Sequence, residues 1–167
     1  MTRFLKRHPA AMVLLAWFTA GHAHAGCTIS SSGLAFGAYP TLGFAGQLGS
    51  ADVTSTATIS VACQGMPASS SYTLALGPSA AGSGNRISTR YLANARGGDP
   101  MAFNLFTDAN RTVVWGDGVT GALIRGTLDA GGSNSSVAVY GKIPAGQSTL
   151  RAGSFQSSMT LTLTYSP

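Results

Sequence analysis

Alternation with a period of two dominates the chain. From Val53 to Cys63 the odd positions Val53, Ser55, Ala57, Ile59, Val61 and Cys63 point one way, and Thr54, Thr56, Thr58 and Ser60 point the other. Successive side chains of an extended strand face opposite sides, so this segment reads as a strand with one buried face. The same pattern places Tyr72, Leu74 and Leu76 together, then Met101, Phe103 and Leu105, then Val137, Val139 and Gly141. The most regular run is the last, where Met159, Leu161, Leu163 and Tyr165 alternate with Ser158, Thr160, Thr162 and Thr164. Between the runs lie GPSAAGSGN (77–85), ARGGDP (95–100), DAGGSN (129–134) and IPAGQ (143–147), whose composition marks turns. No window of a dozen residues has 3.6-residue apolar spacing free of Gly. Short strands separated by frequent turn signals predict an all-β fold, an antiparallel sandwich or barrel, with no repeat, linker or second domain.

One stretch tests that reading. Gly116, Gly118 and Gly121 in VVWGDGVTGAL (113–123) have the G-x-G-x-x-G spacing of a dinucleotide-binding loop after a strand-like run. Such a loop holds a pyrophosphate only if the third glycine opens a helix, whose N-terminus supplies amides and a positive dipole. The next seven residues, Ala122-Leu-Ile-Arg-Gly-Thr-Leu128, are interrupted by Gly126 and carry no helix signature. The triplet therefore reads as a turn, with Gly116, Asp117 and Gly118 supplying positive φ and a side-chain-to-backbone hydrogen bond. Asp108-Ala-Asn-Arg111 reads likewise as a turn between strands 101–107 and 112–115.

Composition narrows the function once the first 25 residues are set aside. MTRFLKRHPAAMVLLAWFTAGHAHA carries Arg3, Lys6 and Arg7, an apolar run from Pro9 to Ala20, and Ala23-His24-Ala25, the pattern of a cleaved secretory signal peptide. The run is too short for a membrane span and no later segment is a transmembrane anchor. Residues 26–167 then form one domain of 142 residues. Three of the ten Lys and Arg residues leave with the leader, so seven face five aspartates and the net charge falls from +5 to +2. The seven are scattered singly, unlike a nucleic-acid footprint, so no nucleic-acid partner is expected. All three histidines, His8, His22 and His24, lie in the leader, and the chain has no glutamate. That removes the usual general base and the imidazole metal ligand. The expectation is a protein that is not an enzyme, with no catalytic residue, cofactor or metal.

Two cysteines remain, Cys27 and Cys63, and export to an oxidising compartment predicts that they pair. Closing that 37-residue loop removes unfolded-state entropy worth about 4 kcal/mol. The rival reading is a lipidated Cys27, but the preceding His24-Ala25-Gly26 lacks a Leu three positions before it, and lipidation leaves Cys63 alone.

With Cys27 and FGAY (36–39) near its start, the chain carries FNLFTDANRTVVWGDG (103–118), VYGKIPAGQ (139–147) and a terminal MTLTLTY (159–165). In this order the motifs resemble the spore coat protein U domain family over Cys27 to Tyr165. That family includes subunits of archaic, Csu-type chaperone–usher fimbriae. The resemblance implies an immunoglobulin-like, pilin-type sandwich lacking its last strand and a structural role at the cell surface. It also implies three kinds of partner: a periplasmic chaperone, an outer-membrane usher and neighbouring pilus subunits.

The residues support an open sandwich independently. The sequence stops two positions beyond Tyr165, and an apolar-faced strand at an open edge invites aggregation unless another segment covers it. The expected donor-strand groove has Met159, Leu161, Leu163 and Tyr165 on one side and Ile29, Leu34 and Phe36 of the first strand on the other. In the alternative these residues are ordinary core, and a coat protein's sandwich closes on itself. With cleavage after Ala25 only Gly26 precedes Cys27, which leads to the expectation of a terminal or tip subunit that accepts a strand and donates none. Against that, the family's tip adhesins have two domains. A competing class is an adhesin module for carbohydrate or surfaces, for which Tyr39, Phe44, Tyr91, Phe106 and Trp115 are the stacking candidates, although core or strand packing is the favoured reading of each, because large aromatics are the usual filling of a sandwich.

Overall fold

The computed structural model describes residues 26–40, 51–81, 86–129, 131 and 133–166. Residues 1–25, expected to be a signal peptide, and Phe44 lie outside the described residues. Within them the chain forms β1 (Gly26–Ser31), β2 (Val53–Gln64), β3 (Ser71–Ser79), β4 (Arg90–Asn94), β5 (Met101–Phe106), β6 (Ile124–Thr127), β7 (Asn134–Ile143), β8 (Phe155–Gln156) and β9 (Met159–Ser166). One sheet runs β1-β2-β7-β5-β4-β8 and the other β6-β3-β9, every ladder antiparallel.

The period of two sets which face each strand buries. On β2, Ala57, Ile59, Val61 and Cys63 are buried while Thr54, Thr56, Thr58 and Ser60 are exposed. Tyr72, Leu74 and Leu76 of β3 come from the opposing sheet and meet them across the interior. Strand β5 departs from simple alternation, because Asn104 and Phe106 on its outer face are buried as well as Met101, Phe103 and Leu105. The segment before β4 covers that outer face: Asn104 Nδ2 donates to the carbonyls of Ile87 and Ser88, at 3.1 and 2.8 Å.

Two expected strands are corrected. Residues 112–115 do not form one; they contribute single bridges, Phe106 to Val114 and Trp115 to Ala122. The Asp108 carboxylate captures the amides of Thr112 and Val113, which bends the chain back over β5 after a turn with Arg111 at φ 57°. Such side-chain bonds offer the backbone an alternative to a ladder. The first strand also ends at Ser31, so Leu34 and Phe36 belong to an irregular strap, residues 32–40, rather than to β1. Gly33 adopts φ 72°, which breaks the strand path, and its amide bonds Ser31 Oγ.

The glycine triplet is a turn. Gly118 and Gly121 have φ of 88° and 78°, and Asp117 Oδ1 accepts from the amides of Val119 and Thr120. Gly116 serves differently from expectation: its φ is not positive, but a Cβ there would lie 1.7 Å from the Thr120 carbonyl oxygen. No helix follows Gly121.

Side-chain hydrogen bonds tie the two sheets together at both ends, and a disulfide staples the six-stranded sheet within itself at one of them. Cys27 and Cys63 stand opposite one another in the β1–β2 ladder and form a disulfide. Near them the Tyr72 hydroxyl and Ser135 Oγ are 2.8 Å apart, joining β3 to β7. At the other end β3 loses register between Leu76 and Ser79, and the guanidinium of Arg90, fully buried, reaches across from β4. Its Nε and Nη2 donate to Gly77 O, Nη2 also to Leu76 O and Trp115 O, and Nη1 to Asn104 Oδ1 at 2.6 Å. Burial pulls its pKa down to about 10, opposed by the negative field of Asp117.

Candidate functional site: an open strand edge beside an apolar cleft

Among the described residues four strands stand at sheet edges, and only one lacks protection. Strand β8 has two residues, and β6 has four and carries Arg125. β1 has six residues, is stapled by the disulfide and turns Thr28 and Ser30 outward. β9 has eight residues, MTLTLTYS, with no charge, proline or glycine. Among the described residues it pairs with β3 alone, so its other flank offers a row of free backbone donors and acceptors. Short length, charge and bulges are the ordinary means of blunting an edge, and β9 has none of them on its free side.

Beside this edge the sandwich is incompletely filled. A cleft of about 970 Å³ runs between the sheets, walled by Met159 and Leu161 on one side and by the 31–39 strap on the other. Its floor includes Ala57, Ile59, Phe103, Val139 and Ile143 from the six-stranded sheet and Leu76 from the three-stranded one. Leu34 and Phe36 hold the strap down over Gly141, and the Phe36 ring meets Phe103 edge to face at 5.9 Å. A side chain at Gly141 would lie 2.7 Å from the Phe36 ring, so this glycine makes room for the strap. Tyr39 fixes the strap's far end by donating to Pro144 O and accepting from the Gln147 amide.

Of the seven residues assigned to the groove, Leu34, Phe36, Met159 and Leu161 line this cleft. Ile29, Leu163 and Tyr165 do not: Ile29 and Leu163 are half-buried against the core, and Tyr165 is 39% exposed. They lie towards the disulfide end, where the Tyr72–Ser135 bond draws the two sheets together and the cleft does not extend. Sequence reasoning missed Leu92, Leu150 and Phe155, which also line the cleft. Leu150 stands in irregular chain and β8 is only two residues long, so no periodicity marked them.

The aromatic candidates for surface stacking are mostly internal. Trp115 is 1% exposed and donates from Nε1 to Leu74 O, and Phe106 is 7% exposed. Tyr39 and Tyr91 are half-buried. Trp115 faces the cleft rather than solvent, so it is removed from the set of sugar-stacking residues.

Among the described residues no carboxylate side chain lines the cleft. Asp108, Asp117 and Asp129 sit in turns, their pKa values lowered mainly by amides donated from Val113, Thr120 and Ser133 respectively. Asp52 is lowered by the Ala145 amide and, to a smaller degree, by Lys142 at 3.4 Å. Because these folded-state values fall below the ordinary 3.8, the stability they supply is complete above that pH and is lost as pH drops through the lower values. With no His or Glu in residues 26–167, the thermal midpoint is expected to stay level between about pH 5 and 8 and to fall below about pH 4. A calorimetric series across that range checks this, and a midpoint that climbs or falls steadily between pH 5 and 8 would contradict it.

Comparison with known proteins agrees with this architecture. No curated protein sequence matches the chain. Among solved structures, the chain resembles one in the crystal structure of the CsuC–CsuE chaperone–tip adhesion subunit pre-assembly complex from archaic chaperone–usher Csu pili of Acinetobacter baumannii. The TM-score is 0.56 at 16% identity, over 84% of this chain and 40% of that one, so the likeness is one of fold. Residues 15–162 match the Spore Coat Protein U domain. The chain belongs to the Spore Coat Protein U domain family.

Proposed function

We propose that this chain is a structural subunit of an archaic chaperone–usher surface fibre, assembled by strand donation into the β9 edge and its cleft. The observation that carries the reading is that the longest uncharged edge strand among the described residues pairs on one flank only there, directly beside unfilled apolar space. An added strand supplies both missing components at once, main-chain partners for β9 and alternate side chains for the cleft. The solved structure of similar fold comes from a complex of a pilus chaperone with a tip adhesion subunit. In this reading a periplasmic chaperone covers the edge first, and a neighbouring subunit replaces it at the outer-membrane usher. The route therefore runs through the periplasm to the cell surface. No helix among the described residues is long and apolar enough to cross a membrane.

Export of the chain with and without its chaperone tests this. Co-expression is expected to yield a soluble complex with one chaperone per subunit, and the chain alone is expected to aggregate or be degraded. A soluble monomer that accumulates alone, with the β9 amides protected from hydrogen exchange along both flanks, would overturn the proposal.

A further inference from the structure

The open edge and the cleft are not the same length. β9 runs for eight residues with one flank unpaired, whereas only Met159 and Leu161 of its inward side chains face unfilled space. From Leu163 onward neither β9 nor its register partners Leu74 and Tyr72 on β3 line the cleft, and Tyr72 is 2% exposed and crosses to Ser135 of the opposing sheet. Along β2 the boundary falls at the same level: Ala57 and Ile59 line the cleft, while Val61 and Cys63 are buried outside it. The sandwich is thus open at the strap end and closed at the disulfide end.

Resting on the strand-acceptor reading, we infer that the donor is an extended, uncharged segment anchored at one end only. It carries bulky apolar side chains at the positions beside Met159 and Leu161. Beside Leu163 and Tyr165, its alternate positions need only be small or polar. Selectivity arises from the physical difference between the two halves. At the strap end a large side chain leaves water for a pocket lined by Leu76, Phe36, Trp115 and Phe155. At the disulfide end an inward side chain meets filled core and adds only main-chain pairing. The cleft commits to a strand rather than a free apolar molecule because its mouth coincides with the unpaired β9 backbone, which such a molecule leaves unsatisfied.

A scan of synthetic ten-residue peptides, added to the purified chaperone complex and read by displacement of the chaperone, measures this without altering the protein. The parent peptide alternates four leucines with threonines and carries a fluorophore, and each leucine is replaced in turn by serine. Serine at the two positions of one end is expected to weaken binding by at least about tenfold each, and at the other end by less than about threefold. A benzophenone placed at the sensitive end is expected to cross-link at Met159 or the strap. Equal losses at all four positions, or cross-links near Tyr165 and Ile29, would overturn the one-ended anchor while leaving strand acceptance intact. Binding of an apolar dye but of no peptide would overturn strand acceptance itself.

Discussion

Replacing Arg90 with methionine is expected to lower the folding free energy by about 3–5 kcal/mol, a large part of what a domain of this size possesses. The substitution removes a buried charge, and burial disfavours that charge, as the lowered pKa of about 10 shows. Relief of that cost acts in the opposite direction to the loss of bonds. The balance is decided by the groups left behind. The carbonyls of Leu76, Gly77 and Trp115 and the Asn104 side-chain oxygen all lose their guanidinium donor in a site with no exposure. An orphaned buried acceptor costs about 1–3 kcal/mol, and several are created by one change. Lysine at position 90 keeps the charge but not the planar fork that spans Gly77 and Asn104, so it is expected to recover only part of the loss. Urea unfolding curves for the three proteins, each carrying the same leucine–threonine donor peptide, measure the effect as a shift in midpoint at constant slope. A methionine variant within about 1 kcal/mol of the parent would show that the broken register of β3 satisfies its own carbonyls without Arg90.

The residues around Arg90 also show where the sequence stops being informative. Strands with clean alternation were legible because burial on one face imposes a period of two, and β2, β3, β7 and β9 obey it almost position by position. The disulfide was legible because chemistry and compartment leave Cys27 and Cys63 only one another. Arg90 was not legible, since an isolated Arg in a Ser- and Thr-rich stretch reads as surface; its burial depends on a bulge in β3 and a carbonyl of Trp115, set by tertiary structure. The same limit applies to the groove. Alternation shows that Met159, Leu161 and Leu163 face inward together, but not that filled core lies opposite Leu163 and open space opposite Leu161. That difference comes from the strap, where Gly33 ends the first strand early, and from the Tyr72–Ser135 bond across the sheets. Neither leaves a trace in hydrophobic periodicity. For Trp115 the packing reading holds over the stacking one, since its indole is buried and anchored to Leu74 O beneath the cleft.

Removal of both cysteines, Cys27→Ala with Cys63→Ala, is expected to cost about 4 kcal/mol, the chain entropy released when a crosslink across 36 positions of sequence is opened. The change acts on both states. In the unfolded chain it frees the loop, so the urea slope is expected to rise along with the fall in midpoint as more surface becomes exposed. In the folded chain it leaves β1 held by β2 alone, because β1 is an edge strand with no second neighbour among the described residues. Ile29 packs on the core from that strand, so fraying of β1 opens the end of the sandwich that the disulfide keeps closed. Partner choice should change with it: the oxidised protein is expected to prefer peptides with bulky residues at one end, and the cysteine-free protein to lose that preference before it loses binding. Hydrogen exchange at Thr28 and Ile29, measured beside the peptide scan, separates the two contributions. A midpoint shift with unchanged exchange in β1 and an unchanged scan would place the disulfide's whole effect in the unfolded chain. A midpoint within about 1 kcal/mol of the parent would contradict the entropic estimate itself.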